Sequence, residues 1–310
     1  MKILLTGGRG MVGRALLAHE AASDHDILAP ERAALDLTDR TAVMRAVSDA
    51  RPDLVIHAAG RVGGIQANIA QPVAFLTENM DMGANIVLAA RDAAVPRLLN
   101  LGSSCMYPRN APNPLREDSL GQGQLEPTNE GYGLAKLAVA RLCAFVGRED
   151  PALAYKTLIP CNLYGMHDKF DPAVSHLVPA IIRKVHDAKQ NGADSVEIWG
   201  DGTARREFMF SDDLADGVWT AVARFEALPD MMNIGLGHDH SINDFYAEAA
   251  DVMGWHGSFR HDLTRPAGMT QKLLSVDRQE AFGWRPRTSL AEGIARTYTH
   301  FLDLNERGAA

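Results

Sequence analysis

The chain has 310 residues, 46% of them hydrophobic, enough for one large α/β unit or two coupled lobes. Its net charge of −8, with both signs scattered, speaks against a basic nucleic-acid surface or a polybasic membrane patch. Three cysteines (Cys105, Cys143 and Cys161) are too few and too odd in number for a disulfide framework, and no CxxC pair suggests a metal.

The opening "MKILLTGGRG" is too short for the apolar region of a signal peptide, and no apolar run reaches about 18 residues. A soluble cytoplasmic protein is expected. "KILLT" reads as a buried strand ended by glycines, followed by helical spacing over 11–22. "HDILAP" is a second strand, and "TDRTAVMRAVSDA" a helix opened by a capping threonine. "DLVIHAA" and "RLLNLGSS" are strands on either side of a long helix over 73–94. A helix over 132–147 and the strand "YKTLIP" complete the alternation. Wholly apolar strands alternating with helices imply a parallel sheet covered on both faces, hence a doubly wound Rossmann-type domain.

Beyond residue 162 the pattern loosens. "PAVSHLVPAIIRKVHDAKQ" reads as a helix and "DSVEIWGDGTARREFMF" as short extended pieces around a turn. "SDDLADGVWTAVARFEA" is a helix, "MMNIG" a strand, and 241–253 and 289–304 are helical. The expected division is a dinucleotide-binding domain over 1–162, rejoined by 208–236, and a smaller α/β substrate lobe formed by 163–207 and 237–310.

"TGGRGMVG" carries Gly7, Gly10 and Gly13 as GxxGxxG between a strand and a helix. The turn needs residues without Cβ, and a pyrophosphate can then meet the free N–H groups of Met11, Val12 and Gly13 at the helix start. Both Glu31 and Arg32 follow the second strand, and Arg9 lies inside the loop. Arginine grips a 2′-phosphate bidentately, so NADP(H) is expected over NAD(H), with Arg9 and Arg32 as the discriminating residues.

"YGLAK" places Tyr132 and Lys136 four apart on one helical face. A nearby ammonium stabilises phenolate and draws the phenol toward working pH, so that Tyr132 can exchange a proton with a carbonyl oxygen as hydride moves at carbon. Ser103 ends the preceding strand and completes a serine–tyrosine–lysine set.

With the glycine loop, Ser103 and YxxxK in place, the sequence resembles the extended short-chain dehydrogenase/reductase family over essentially its whole length. The stretches "RVGGIQAN", "SSCMYP", "LEPTNEGYGLAK", "NLYGMHDKFDPAVSHLVPAIIRK" and "WGDGTARREF" are similar to the GDP-L-fucose synthase branch. That resemblance implies C3/C5 epimerisation of GDP-4-keto-6-deoxy-D-mannose, then NADPH-dependent reduction at C4. It implies Ser103, Tyr132 and Lys136 as the redox set, and Cys105 and His176 as the proton-transfer pair, with Cys105 the base and His176 the acid. It also implies cofactor contacts from Leu101, Gly102, Lys136, Pro160, Asn162, Leu163 and His176. GDP-sugar contacts come from Lys184, Trp199 and Arg206, and the implied assembly is a homodimer built on helices around 76–94 and 134–146.

The chemistry asks for such types independently. Both carbons flanking a ketone are acidic, and inversion needs a proton removed from one face and returned to the other. A thiol and an imidazole both have accessible pKa values. The bland reading of Cys105 is a small buried hydrophobe. Cys143 and Cys161 sit in apolar stretches and are expected to pack, and His57 is expected near the cofactor at a strand end. Two departures from the family pattern stand out: Ala267, in "TRPAGMTQK", occupies a place where family members often carry an acid, and Cys161 one where a threonine is common. Two rivals therefore stay open, a related GDP-keto-sugar reductase or epimerase of heptose or colitose type, and a non-catalytic dinucleotide sensor.

Overall fold

The computed structural model describes residues 1–171, 175–264 and 269–306. Five strands alternate with helices in the first half: β1 (Lys2–Thr6), β2 (Asp26–Leu28), β3 (Leu54–His57), β4 (Arg97–Leu101) and β5 (Ala154–Pro160). Eight more follow: β6 (Asn162–Tyr164), β7 (Ser195–Trp199), β8 (Arg205–Arg206), β9 (Phe208–Phe210), β10 (Met231–Ile234), β11 (His240–Ser241), β12 (Ser258–Asp262) and β13 (Gln271–Lys272).

The large sheet is wholly parallel, in the order β10-β5-β4-β3-β1-β2. Period-two alternation sends successive strand residues to opposite faces. Leu4, Val55 and Leu98 pack with Val43 and Val47 of helix Arg40–Ala50, Ile86 of helix Pro72–Asp92, and Val139 of helix Glu130–Glu149. Ile3, Leu5, Ile56 and Leu99 pack on the other face with Leu16 of helix Met11–Ala18 and Val218 and Trp219 of helix Ser211–Ala223. Each such fully buried aliphatic stabilises the layer by about 1.5–3 kcal/mol. The fold is therefore α/β and doubly wound, and the strand order reverses between β1 and β3. That is where crevices for ligands open in such sheets.

Close approaches at three glycines draw these elements together. A Cβ on Gly83 would lie 2.3 Å from Val139 Cγ2, so helices Pro72–Asp92 and Glu130–Glu149 approach at that glycine. Gly131 and Gly133 flank Tyr132, and Cβ atoms there would fall 2.8 Å from the Pro72 carbonyl and 2.5 Å from the Cys105 carbonyl. The first helical turn can thus press onto the loop after β4 and carry Tyr132 with it.

The remaining core gathers Val178, Ile181, Ile182 and Val185 of helix Leu177–Gln190 with Phe245 and Ala249 of helix Ile242–Met253, and Ile294 and Phe301 of helix Leu290–Glu306. Strand β7 pairs with β12 in parallel, and β8 lies between β11 and β13. Local readings need adjustment at two helix starts. The cap of helix Arg40–Ala50 is Asp39, whose carboxylate accepts the Ala42 N–H at 3.0 Å; Thr38 instead donates its hydroxyl to Asp36 at 2.8 Å. Helix Leu177–Gln190 begins later than its apolar pattern suggests, with His176 at the cap. Ala267 lies outside the described residues. No helix among the described residues is long and apolar enough to cross a membrane.

Candidate active site

The glycine loop follows from sterics. Gly7 adopts φ +81°, and a Cβ on it would meet Ala59 N at 2.7 Å. A Cβ on Gly13 would lie 2.2 Å from the Gly7 carbonyl, so strand end and helix start touch. Gly10 donates its N–H to that same carbonyl at 3.0 Å and serves as the helix N-cap with no side-chain cap. The first-turn N–H groups of Met11, Val12 and Gly13 are therefore left to an anion. The cradle that a Cβ would fill, at the β1/β3 reversal, fits a dinucleotide pyrophosphate. Arg9 is exposed and ion-paired to Glu31. Arg32 is exposed beside Asp36, whose carboxyl the N–H and hydroxyl of Thr38, with a smaller part from Arg32, hold below the usual range.

Leu101 ends β4, and Gly102 and Ser103 carry the chain off the sheet edge. Ser103 caps a short 3₁₀ turn over Ser104–Met106, and its hydroxyl accepts the Cys105 N–H at 3.2 Å. The same hydroxyl hydrogen-bonds Tyr132. Burial pushes the Tyr132 phenol well above its ordinary value and the neighbouring Cys105 adds to the rise, while the Ser103 bond opposes it. Lys136 is buried, and desolvation pulls its ammonium down to about 8. Its Nζ donates to the Leu101 carbonyl at 2.9 Å and lies 6.0 Å from the Tyr132 ring centroid. In this state the phenol therefore stands higher than the YxxxK spacing predicts, because burial dominates. His57 ends β3, fully buried, with Nδ1 2.8 Å from the Thr6 hydroxyl; burial and then Lys136 push it down to about 3.

Pro160 ends β5, and Asn162 and Leu163 open β6. Asn162 donates to the Glu207 carbonyl at 3.0 Å. His176 is the N-cap of helix Leu177–Gln190; burial, then Lys169, hold its imidazole below the usual range. Among the described residues, no hydrogen bond ties it to Cys105. Lys184 donates to the Glu197 carbonyl at 3.2 Å and the Tyr246 hydroxyl at 3.4 Å, and lies 5.4 Å from the centroid of the half-exposed Trp199 indole. Arg206, on β8, pairs in register with Lys272 of β13 and His240 of β11. Burial lowers its pKa, with Glu126 and Asp239 opposing.

The structure thus forms three sets of expected residues: the glycine loop with Arg9, the Ser103–Cys105–Tyr132–Lys136 cluster, and the Lys184–Trp199 stack; Arg206 lies on β8 of another sheet, and His176 is hydrogen-bonded to none of these sets among the described residues. Three further residues were not foreseen. Asn129 Nδ2 and Lys272 Nζ approach the Cys105 sulfur at 3.2 and 3.4 Å. Glu207, next to Arg206, is almost fully buried and accepts N–H groups from Leu236 (2.6 Å), Gly237 (3.1 Å) and Leu274 (2.9 Å). The only local hint of Glu207 is an acid opening the apolar run "EFMF".

Residues 3–235 match the model of the NAD dependent epimerase/dehydratase family. The chain belongs to that family. Within the NAD dependent epimerase/dehydratase family it is 49% identical over 305 residues to the GDP-L-fucose synthase of Azorhizobium caulinodans, covering 98% of this chain and 97% of that one. It is 47% identical over 303 residues to the GDP-L-colitose synthase of Yersinia pseudotuberculosis, covering 98% of each. Its structure superposes with TM-score 0.87 on MlghC, a GDP-mannoheptose C4 reductase from Campylobacter jejuni with NADP bound. That likeness is 31% in sequence and covers 97% of this chain and 98% of the other.

Proposed function

We propose that this chain is an NADPH-dependent epimerase–reductase that converts GDP-4-keto-6-deoxy-D-mannose to GDP-L-fucose. The observation that carries the reading is the junction at Ser103. The Ser103 hydroxyl accepts the Cys105 backbone N–H and bonds the Tyr132 phenol, and Cys105 lies near enough to that phenol to raise it, so a thiol for proton transfer and the redox phenol share a single site. A plain ketone reductase has no use for that thiol, and a dinucleotide sensor has none for the serine–tyrosine–lysine set.

In this mechanism the first lobe (1–162 and 208–236) holds NADP(H) on Gly7, Gly10, Met11, Val12 and Gly13. Arg9 and Arg32 take the 2′-phosphate, and Leu101, Gly102, Lys136, Pro160, Asn162, Leu163 and His176 line the rest. The second lobe (163–207 and 237–310) holds the GDP-sugar. Lys184 and Arg206 face the diphosphate and Trp199 offers an apolar face to the base. Cys105 removes a proton from the carbon beside the ketone, while Ser103 and Tyr132 donate hydrogen bonds to the enolate oxygen. His176 returns a proton to the opposite face; burial makes its protonated form a stronger acid. Cys105 is then a thiol and His176 neutral, and solvent carries the proton between them before the second inversion. A nicotinamide held there would supply hydride at C4, and Tyr132 gives its proton to the C4 oxygen, with Lys136 supporting the phenolate.

Val73, Leu134 and Phe145 are exposed apolar side chains on helices Pro72–Asp92 and Glu130–Glu149, which supports a homodimer through those helices. Three free cysteines suit a reducing cytoplasm. The likeness to a colitose synthase and a heptose reductase favours one second reading, a related GDP-4-keto-sugar as substrate. Incubation with GDP-4-keto-6-deoxy-mannose and NADPH, with product stereochemistry read by NMR, tests the proposal. Formation of the L-fuco product carries it. Turnover only of a 3-deoxy or heptose analogue overturns it in favour of the second reading.

A further inference from the structure

Cys105 is the one cysteine of the three that is not buried. Two nitrogen donors from distant parts of the chain converge on its sulfur, the Asn129 amide at 3.2 Å and the Lys272 ammonium at 3.4 Å. Lysine has three N–H donors and no acceptor, so it can only give. A neutral thiol sulfur is a weak acceptor for two such donors, whereas the negative charge of a thiolate strengthens both contacts and the ammonium offsets that charge. The same charge fixes the Asn129 amide, since its oxygen would face a negative sulfur if turned over. In the observed orientation that oxygen is buried, with no hydrogen-bond partner among the described residues.

The other charged groups around the sulfur do not oppose this. Tyr132 faces it from helix Glu130–Glu149 and is held protonated by burial. Arg206, the register partner of Lys272, carries a further positive charge in that sheet, opposed by Glu126 and Asp239. Asp239 is engaged by Arg205 at 2.6 Å and Gln271 at 2.6 Å, and Glu207 by three backbone N–H groups.

We propose that Asn129 and Lys272 are positioning residues that hold Cys105 as a thiolate before substrate arrives. This rests on the reading of Cys105 as a proton-transfer group. The resting thiolate accepts a proton from carbon: an S–H bond forms, a C–H bond breaks, and the electron pair passes into the enolate. Without the ammonium, the thiol would first have to lose its proton to solvent at neutral pH.

Iodoacetamide alkylation of the full-length protein, followed by peptide mass analysis at Cys105 across pH, measures this directly. Burial shields Cys143 and Cys161. The parent midpoint is expected clearly below the ordinary thiol value of about 8.5. Lys272→Gln should raise it by about one pH unit or more, an approximately tenfold slower reaction at pH 7. Lys272→Arg restores the charge and should return it toward the parent. Asn129→Ala should give a smaller rise and Asn129→Asp a larger one. NADPH binding by each variant confirms its fold. Identical midpoints in the parent, Lys272→Gln and Asn129→Ala would overturn the proposal. Should Lys272→Gln not bind NADPH, the parent midpoint decides, and a value at or above about 8.5 overturns it. Alkylation uses no sugar, so a wrong substrate assignment cannot mimic either result.

Discussion

The Lys136 ammonium is anchored to the Leu101 carbonyl, 2.9 Å away at the exit of the central strand. That bond sets the charge beneath the phenol of Tyr132 from backbone, and it does so while burial brings Lys136 down to about 8. Reduction should therefore fall as pH rises through about 8, because deprotonated Lys136 no longer supports phenolate. Tyr132→Phe should lower reduction by about 10²–10⁴-fold. NADPH oxidation against pH checks both, with NADPH binding expected to survive in Tyr132→Phe.

On the proposed reading, cofactor choice depends on Arg9 of the glycine loop and Arg32 after the second strand, with Glu31 already paired to Arg9. The double change Arg9→Ser with Arg32→Ser should weaken NADPH by tenfold or more, about 1.4 kcal/mol for the loss of phosphate contacts, while NADH changes little. Parallel KM measurements read the ratio. An unchanged preference would move 2′-phosphate recognition elsewhere.

His57 gives a stability signature. Its folded pKa of about 3 lies below the unfolded value near 6.5. The folded state thus binds fewer protons than the unfolded chain between these values, so stability from neutral His57 is full above 6.5 and is lost as pH falls toward 3. Glu207 runs the other way: burial lifts it to about 7, so its contribution declines as pH rises from about 4.5 to 7. Urea midpoints of parent and His57→Gln between pH 4.5 and 7 separate the two, with the variant showing a weaker loss on acidification.

Glu207 is also a structural tie. It accepts the N–H groups of Leu236, Gly237 and Leu274, joining the chain after β10 to the segment that carries Lys272. Glu207→Ala strands these buried donors and should destabilise the protein by about 3–5 kcal/mol. A thermal melt gives the shift, and loss of Cys105 reactivity is expected alongside.

Much of the fold was legible because strands β1, β3, β4 and β5 are apolar on both faces, and because Gly7, Gly13 and the YxxxK pair work through neighbours in sequence. Boundaries failed where short polar groups compete: Asp39 rather than Thr38 caps its helix, since Thr38 is taken by Asp36. The phenol's high pKa was not legible because burial is a property of the packed site. Asn129 and Lys272 were not legible for a different reason. They reach Cys105 from 24 and 167 residues away, through a helix start and a two-residue strand that no local pattern announces.

The separation between Cys105 and Lys272 also orders events during synthesis. A chain emerging from the ribosome exposes the glycine loop, Ser103, Tyr132 and Lys136 early. Lys272 follows Cys105 by 167 residues, roughly ten to thirty seconds at about 5–20 residues per second. The nascent first half can take shape around the nucleotide cradle while its sulfur still lacks the ammonium. A ready thiolate would then appear only in nearly finished molecules, which spares the unfinished ones from alkylation and oxidation at that sulfur.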